Sequence, residues 1–208
     1  MSEPSVAPTV FVVDDDAAVR DALSLLISLQ GMRASVFASA ADFLAVYDPG
    51  WRGCLLTDLR MPQMDGLELQ AALKQRGATL PVVILSAHGD VATTRAALKN
   101  GAVDFLEKPV DDAVLMDVLS NAIRLDAEQR AVSDQRTQVS VLLDRLTSRE
   151  RAVLELLSAG LNHRDIAGQL AISPRTVEVY KARMMEKLQC RTLADVVRIG
   201  LEQHHTKN

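Results

Sequence analysis

The sequence predicts two folded units of different class: a doubly wound, five-stranded parallel α/β sheet, then a small all-α module of four short helices. Three observations carry this. Short apolar, β-branched runs alternate with longer amphipathic ones over the first 125 residues, the signature of strands and helices in turn. After Thr147 the strand signals stop and helix-start signals recur at short intervals. The charge also changes sign, with 12 Lys and Arg against 19 Asp and Glu in residues 1–143 but 11 against 8 in residues 144–208. A chain of 208 residues suits two domains better than one.

In order, the strand runs are Val10 to Val13, Ser35 to Phe37, Cys54 to Thr57, Val82 to Leu85 and Val103 to Leu106. The helical runs between and after them are Val19 to Leu29, Ala40 to Val46, Leu67 to Leu73, Val91 to Leu98 and Val114 to Ile123. Strands that are apolar throughout, rather than alternating, indicate a parallel sheet covered on both faces. Ligands of such sheets lie beyond the carboxyl ends of the strands, so the residues closing each strand deserve inspection. From Arg124 to Asp144 the chain is polar and lacks Gly and Pro, which reads as a helical linker, a solvated spacer or a partly packed stripe through Val132, Val139 and Leu143.

The carboxyl-terminal elements announce their own starts. Thr147 to Glu150 is a capping box. Asn162 and Asp165 open a second helix, Ser173 followed by Pro174 a third, and Thr192 with Asp195 a fourth. Gly160 stops the first of them. Helices this short, with connections of a few residues, make a helix-turn-helix module. The expected boundaries are 1–125 for the α/β domain, 126–143 for the linker and 144–208 for the helical module.

Composition excludes several classes. Apolar residues at 48% against 24% charged describe a globular chain rather than a disordered one. Apolar stretches stop well short of the ~18 residues that span a bilayer, and Met1 to Pro4 lacks the start of a secretory signal, so a cytoplasmic protein without membrane contact is expected. Cys54 and Cys190 are too far apart for a paired site and read as inert buried thiols.

Asp14 and Asp15 close the first strand, Asp58 the third and Ser86 the fourth, and Lys108 follows the fifth just before Pro109. Three carboxylates brought to one edge repel one another and call for a cation, with Mg²⁺ favoured by the oxygen donors. A lysine and a hydroxyl beside them describe a site for a phosphoryl group on a carboxylate.

The array Val12 to Asp16, Asp58 to Gly66, Ser86-Ala87 and Lys108-Pro109 resembles the receiver domain of bacterial two-component response regulators, a flavodoxin-like fold, over residues 8 to about 125. The resemblance implies that Asp58 accepts phosphate from a sensor histidine kinase. It implies that Asp15, Asp58 and the Arg60 backbone carbonyl bind Mg²⁺, with Asp14 assisting through water. Ser86 and Phe105 would be a switch pair, and Lys108-Pro109 a cis peptide that aims the ammonium at the site. Arg60 and His88, two residues beyond Asp58 and Ser86, are expected to set the lifetime of the phosphoryl group. A haloacid-dehalogenase phosphatase also uses a strand-end Asp, but its DxDx[TV] pattern would need Thr or Val where Ala18 stands.

Residues 144 to about 203, through Leu146 to Glu150, Ala159 to Asn162, Asp165 to Ala167 and Ile172 to Val179, resemble the LuxR-type helix-turn-helix. With the receiver they point to the NarL/FixJ class. Tyr180 departs from it, since that place is commonly histidine. A helical wheel independently puts Val177, Tyr180, Met184 and Leu188 on the packed face, with Arg175, Val179 and Ala182 opposite and Glu178 and Arg183 flanking. Arg175, Thr176, Glu178, Val179 and Arg183 are the expected DNA contacts, together with Lys181, which lies near the packed side on this wheel but whose long stem can reach a backbone phosphate. Two half-sites call for a homodimer formed on phosphorylation, with Leu193, Val196, Val197 and Leu201 of the fourth helix as a contact stripe. The expected function is a phosphorylation-activated transcription regulator working with double-stranded DNA and RNA polymerase. It is not an enzyme beyond its own phosphoryl transfer and dephosphorylation. The alternatives are a regulator indifferent to phosphate and a phosphate sink that binds no DNA.

Overall fold

The computed structural model describes residues 7–87, 91–192 and 194–199. By internal contacts it divides into Met1–Arg130 and Ala131–Asn208.

The first unit is a five-stranded parallel sheet in the order β2-β1-β3-β4-β5. Its strands are β1 (Thr9–Val13), β2 (Arg33–Phe37), β3 (Gly53–Asp58), β4 (Val82–Ser86) and β5 (Asp104–Glu107), interleaved with α1 (Ala17–Leu29), α2 (Ala40–Val46), α3 (Gly66–Gln75) and α4 (Val91–Lys99). Period-two alternation sends neighbouring strand residues to opposite faces. Phe11, Val13, Leu55 and Ile84 accordingly join Phe43, Leu69 and Leu73 in one core layer. Val10, Val12, Leu56 and Leu85 join Ile27, Leu115 and Leu119 in the other. β3 is buried at all six positions, whereas the edge strand β2 is only partly covered, which its Arg33 and Ser35 already suggest. Cys54 lies in the second layer, and burial pushes its thiol up to about 12, as an inert core cysteine requires.

The next helix, α5 (Asp112–Asp144), is unbroken for 33 residues. Asp111 caps it through the amides of Ala113 and Val114. Nothing in its sequence interrupts it, so the stretch expected as a linker is a direct continuation. Its first turn is not a solvated spacer: Asp126 is 3% exposed.

In the second unit, α6 (Ser148–Ser158) starts at the Thr147–Glu150 capping box, α7 (His163–Leu170) at Asn162, and α8 (Pro174–Lys187) at Ser173 with Pro174 in its first turn. Residues 194–199 are helical and begin after reciprocal hydrogen bonds between Thr192 and Asp195. Val153, Leu154, Ile166, Val177, Met184, Leu188, Val196 and Ile199 form the core of this unit.

Candidate functional site

β1 and β3 are adjacent, in register from Thr9 with Gly53 to Val13 with Thr57, so their carboxyl ends bring Asp14 and Asp58 together. Both are buried, at 2% and 9% exposure, while Asp15 is exposed. Lys108 reaches in from beyond β5, its Nζ 2.9 Å from Asp14 Oδ2 and 2.6 Å from Asp58 Oδ1. The Lys108-Pro109 peptide is cis, as the motif implies. Burial alone would push the Lys108 ammonium down, but its hydrogen bonds to Asp58 and Asp14 outweigh that and raise its pKa, so it is charged at neutral pH.

The remaining acceptors of the pair are held by backbone amides. Asp58 Oδ2 accepts the Arg60 N–H at 2.7 Å, and Asp14 Oδ1 accepts the Asp16 N–H at 2.9 Å. Asp16 in turn caps α1. Ser86 is buried at the end of β4, and its carbonyl accepts the Lys108 N–H. Phe105 is half-buried in the first core layer, opposite Ile84 in the ladder and two positions back from the partner of Ser86. Arg60 is exposed. His88 lies outside the described residues.

Three converging carboxylates were the expected cage; two meet, and a lysine already bridges them. Among the described residues, no three His, Cys, Asp or Glu side chains are grouped to hold a metal. Magnesium does not need such a cage, because it keeps several waters and takes one or two carboxylates. Asp58, the exposed Asp15 and the Arg60 carbonyl are hard oxygen donors of the right kind, so the residues fit that ion.

Two supporting residues, Arg20 and the Gly66 that closes the Asp58 motif, had no role assigned from sequence. Arg20 on α1 donates from Nη1 to the Asp14 carbonyl at 2.8 Å; its only signal was an arginine one turn after the Asp16 cap. Gly66 opens α3 so close to the end of β3 that a Cβ there would sit 2.5 Å from the Asp58 carbonyl oxygen. The Asp65–Glu68 capping box fixes that start.

On α8, Val177 and Met184 are fully buried and Leu188 nearly so, while Arg175, Glu178, Val179, Ala182 and Arg183 are exposed, as the wheel requires. Val179 is 43% exposed, an apolar side chain in the middle of a polar face. Lys181 is half-buried. Thr176 is half-buried and its hydroxyl lies 2.8 Å from that of Ser173, so it serves the helix start. Val196 is consumed by the core and Val197 is half-buried; Leu193 and Leu201 lie outside the described side chains.

The receiver-domain model of response regulators matches residues 10–120, and the model of bacterial regulatory proteins of the luxR family matches residues 144–199. The transcriptional regulatory protein FixJ of Azorhizobium caulinodans is 45% identical over 192 residues, 92% of this chain and 91% of that protein. Nodulation protein W of Bradyrhizobium diazoefficiens is 34% identical over 99% of this chain and 92% of its own length. Among solved structures, the response regulator StyR superposes with a TM-score of 0.86 at 41% identity, covering 93% of this chain and 98% of its own. Full-length FixJ from B. japonicum gives 0.58 at 39% identity, covering 94% and 96%. Strand-end carboxylates beside a lysine in one unit and a helix with an exposed polar face in the other thus have one explanation: the chain belongs to the response regulators, as a two-component transcriptional regulator joining a receiver domain to a LuxR-type DNA-binding domain.

Proposed function

We propose that Asp58 is the phosphoacceptor and that its phosphorylation, by a sensor histidine kinase, turns on DNA binding by the carboxyl-terminal module. The observation that carries this is the Asp14–Lys108–Asp58 bridge at the carboxyl edge of a parallel sheet. In the transfer, an Asp58 carboxylate oxygen attacks phosphorus, and the P–N bond of the donor phosphohistidine breaks as the P–O bond forms. Lys108 then pairs with the phosphoryl oxygens in place of its direct bond to Asp58. Ser86 donates its hydroxyl to a second oxygen, and the Phe105 ring follows the hydroxyl inward. Mg²⁺ held by Asp58, Asp15 and the Arg60 carbonyl, with Asp14 acting through water, would neutralise the charge that develops on the phosphoryl group. The same site hydrolyses its own acyl phosphate, at a rate that Arg60 and His88 set.

On the output side, Arg175, Glu178, Val179 and Arg183 read the major groove, and Lys181 reaches a backbone phosphate. Two copies bind two half-sites and engage RNA polymerase. The boundaries proposed for these roles are the receiver to about residue 125 and the DNA-binding module from about residue 144.

The test is DNA affinity at two salt concentrations, with and without acetyl phosphate and Mg²⁺, in wild type and Asp58→Ala. A phosphate-dependent gain of about tenfold or more, absent in Asp58→Ala, with binding that weakens as salt rises, supports the proposal. Full activity in Asp58→Ala would favour a regulator indifferent to phosphate. No salt-dependent binding at all would leave only a phosphate sink.

A further inference from the structure

The amino-terminal edge of the sheet, at the opposite end of β3 from Asp58, holds a polar cluster that phosphoryl chemistry does not use. Asp126 on α5 is buried there. One of its carboxylate oxygens accepts the Gly53 N–H at 2.9 Å, and the other accepts Arg130 Nε at 2.8 Å. The Arg130 guanidinium also donates to the carbonyl of Trp51 and, at 3.4 Å, to that of Pro49. One helical turn therefore holds the loop 49–53 across 73 to 81 residues of sequence. Gly53 is shaped for this position: its φ is +129°, and a Cβ would come 1.9 Å from the Thr9 carbonyl oxygen.

A carboxylate at this depth is strongly unfavourable unless it is paired and hydrogen-bonded, and here both oxygens are satisfied. Arg124 and Glu128, on the same turns, show the ordinary alternative: an exposed pair that bonds only within the helix. Immediately beyond Arg130 the helix changes character, because residues 131–138 are all exposed. A short helical stretch without a packed face draws little stability from propensity alone, so its behaviour depends on where it is held. β3 is buried throughout and laddered to β1 and β4, so its amino end is a fixed support.

We propose that Asp126 and Arg130 are positioning residues for the output helix: they tie its exit turn to the start of β3. The receiver then extends to Arg130, and its signal enters the linker at Ala131. The signalling part rests on Asp58 phosphorylation controlling the protein; the anchor does not.

Hydrogen exchange by mass spectrometry on full-length Asp126→Asn and Arg130→Met, with Arg124→Met as control, tests it. Without ligand, amides 124–132 should exchange about tenfold faster in the first two variants and unchanged in the control, while amides 10–13 and 54–57 stay protected. With beryllofluoride and Mg²⁺, wild type should change its exchange over 131–144. The two variants should bind the ligand within about twofold of wild type and lose that change. Unaltered exchange over 124–132 in Arg130→Met, which leaves the buried carboxylate in place, overturns the anchor. Faster exchange with a wild-type response to beryllofluoride overturns the positioning role. If wild type itself takes up no beryllofluoride, the phosphoryl reading fails, and the ligand-free comparison still decides the anchor.

Discussion

Lys108 stands between two carboxylates that would otherwise face each other in a buried pocket. Its loss should therefore be felt as stability as well as chemistry. Lys108→Met is expected to lower stability by about 1–3 kcal/mol at neutral pH, since it leaves buried acceptors without their charged partner. Added Mg²⁺ should recover more stability in the variant than in wild type, because an ion held by the proposed site would supply the positive charge that Lys108 already provides in wild type. Thermal unfolding with and without Mg²⁺ checks this, and an equal response in both proteins contradicts it. In the DNA-binding module, Glu150 is 2% exposed and accepts from Lys187 Nζ at 2.6 Å. Burial would raise its pKa, but the hydrogen bonds from Lys187 and Thr147 outweigh that and lower it. A lowered folded pKa means the pair contributes fully above the unfolded carboxyl range, near pH 4–5, and its contribution fades as pH falls through the folded value. Lys187→Met should move acid unfolding of residues 148–187, followed by NMR, to higher pH; an unmoved midpoint would contradict the pairing. The pocket residues were legible because each closes or directly follows a strand, whereas Asp126 was not: an Asp among Glu, Gln and Arg looks solvated until the fold brings Gly53 to it.

At the scale of elements, the glycines separate tight contact from simple flexibility. Gly66→Ala drives a methyl into the Asp58 carbonyl, so a loss of about 1–3 kcal/mol and slower phosphorylation are expected. Gly168 lies within α7 with nothing near its missing Cβ, so Gly168→Ala should gain about 0.5–1 kcal/mol. Chemical denaturation of both variants checks the opposite signs, and two losses would contradict the packing. Ser173 accepts the Thr176 N–H at the start of α8. Ser173→Ala should cost about 0.5–2 kcal/mol, read as unfolding of the second unit at lower denaturant. The helix starts at Thr147, Asn162 and Ser173 were legible because caps are local chemistry. The length of α5 was not, since a polar run without Gly or Pro specifies neither an end nor a packed face.

At the scale of the molecule, the division into an acidic α/β unit and a basic helical one follows from strand and cap patterns together with the change of charge sign. Which surfaces pair does not follow, because apolar residues on helix faces serve a core and an interface alike: Val196 belongs to the core. If phosphorylation pairs two copies, light scattering with acetyl phosphate and Mg²⁺ should show the mass doubling in wild type and staying single in Asp58→Ala. Regulation of this kind requires that Asp58 carry the phosphoryl group. Intact-mass spectrometry after incubation with acetyl phosphate and Mg²⁺, followed by peptide mapping, measures it most directly. One added phosphoryl group, located on Asp58 and absent from Asp58→Asn, is the predicted result; an unmodified wild-type chain, or the same gain in Asp58→Asn, would contradict it.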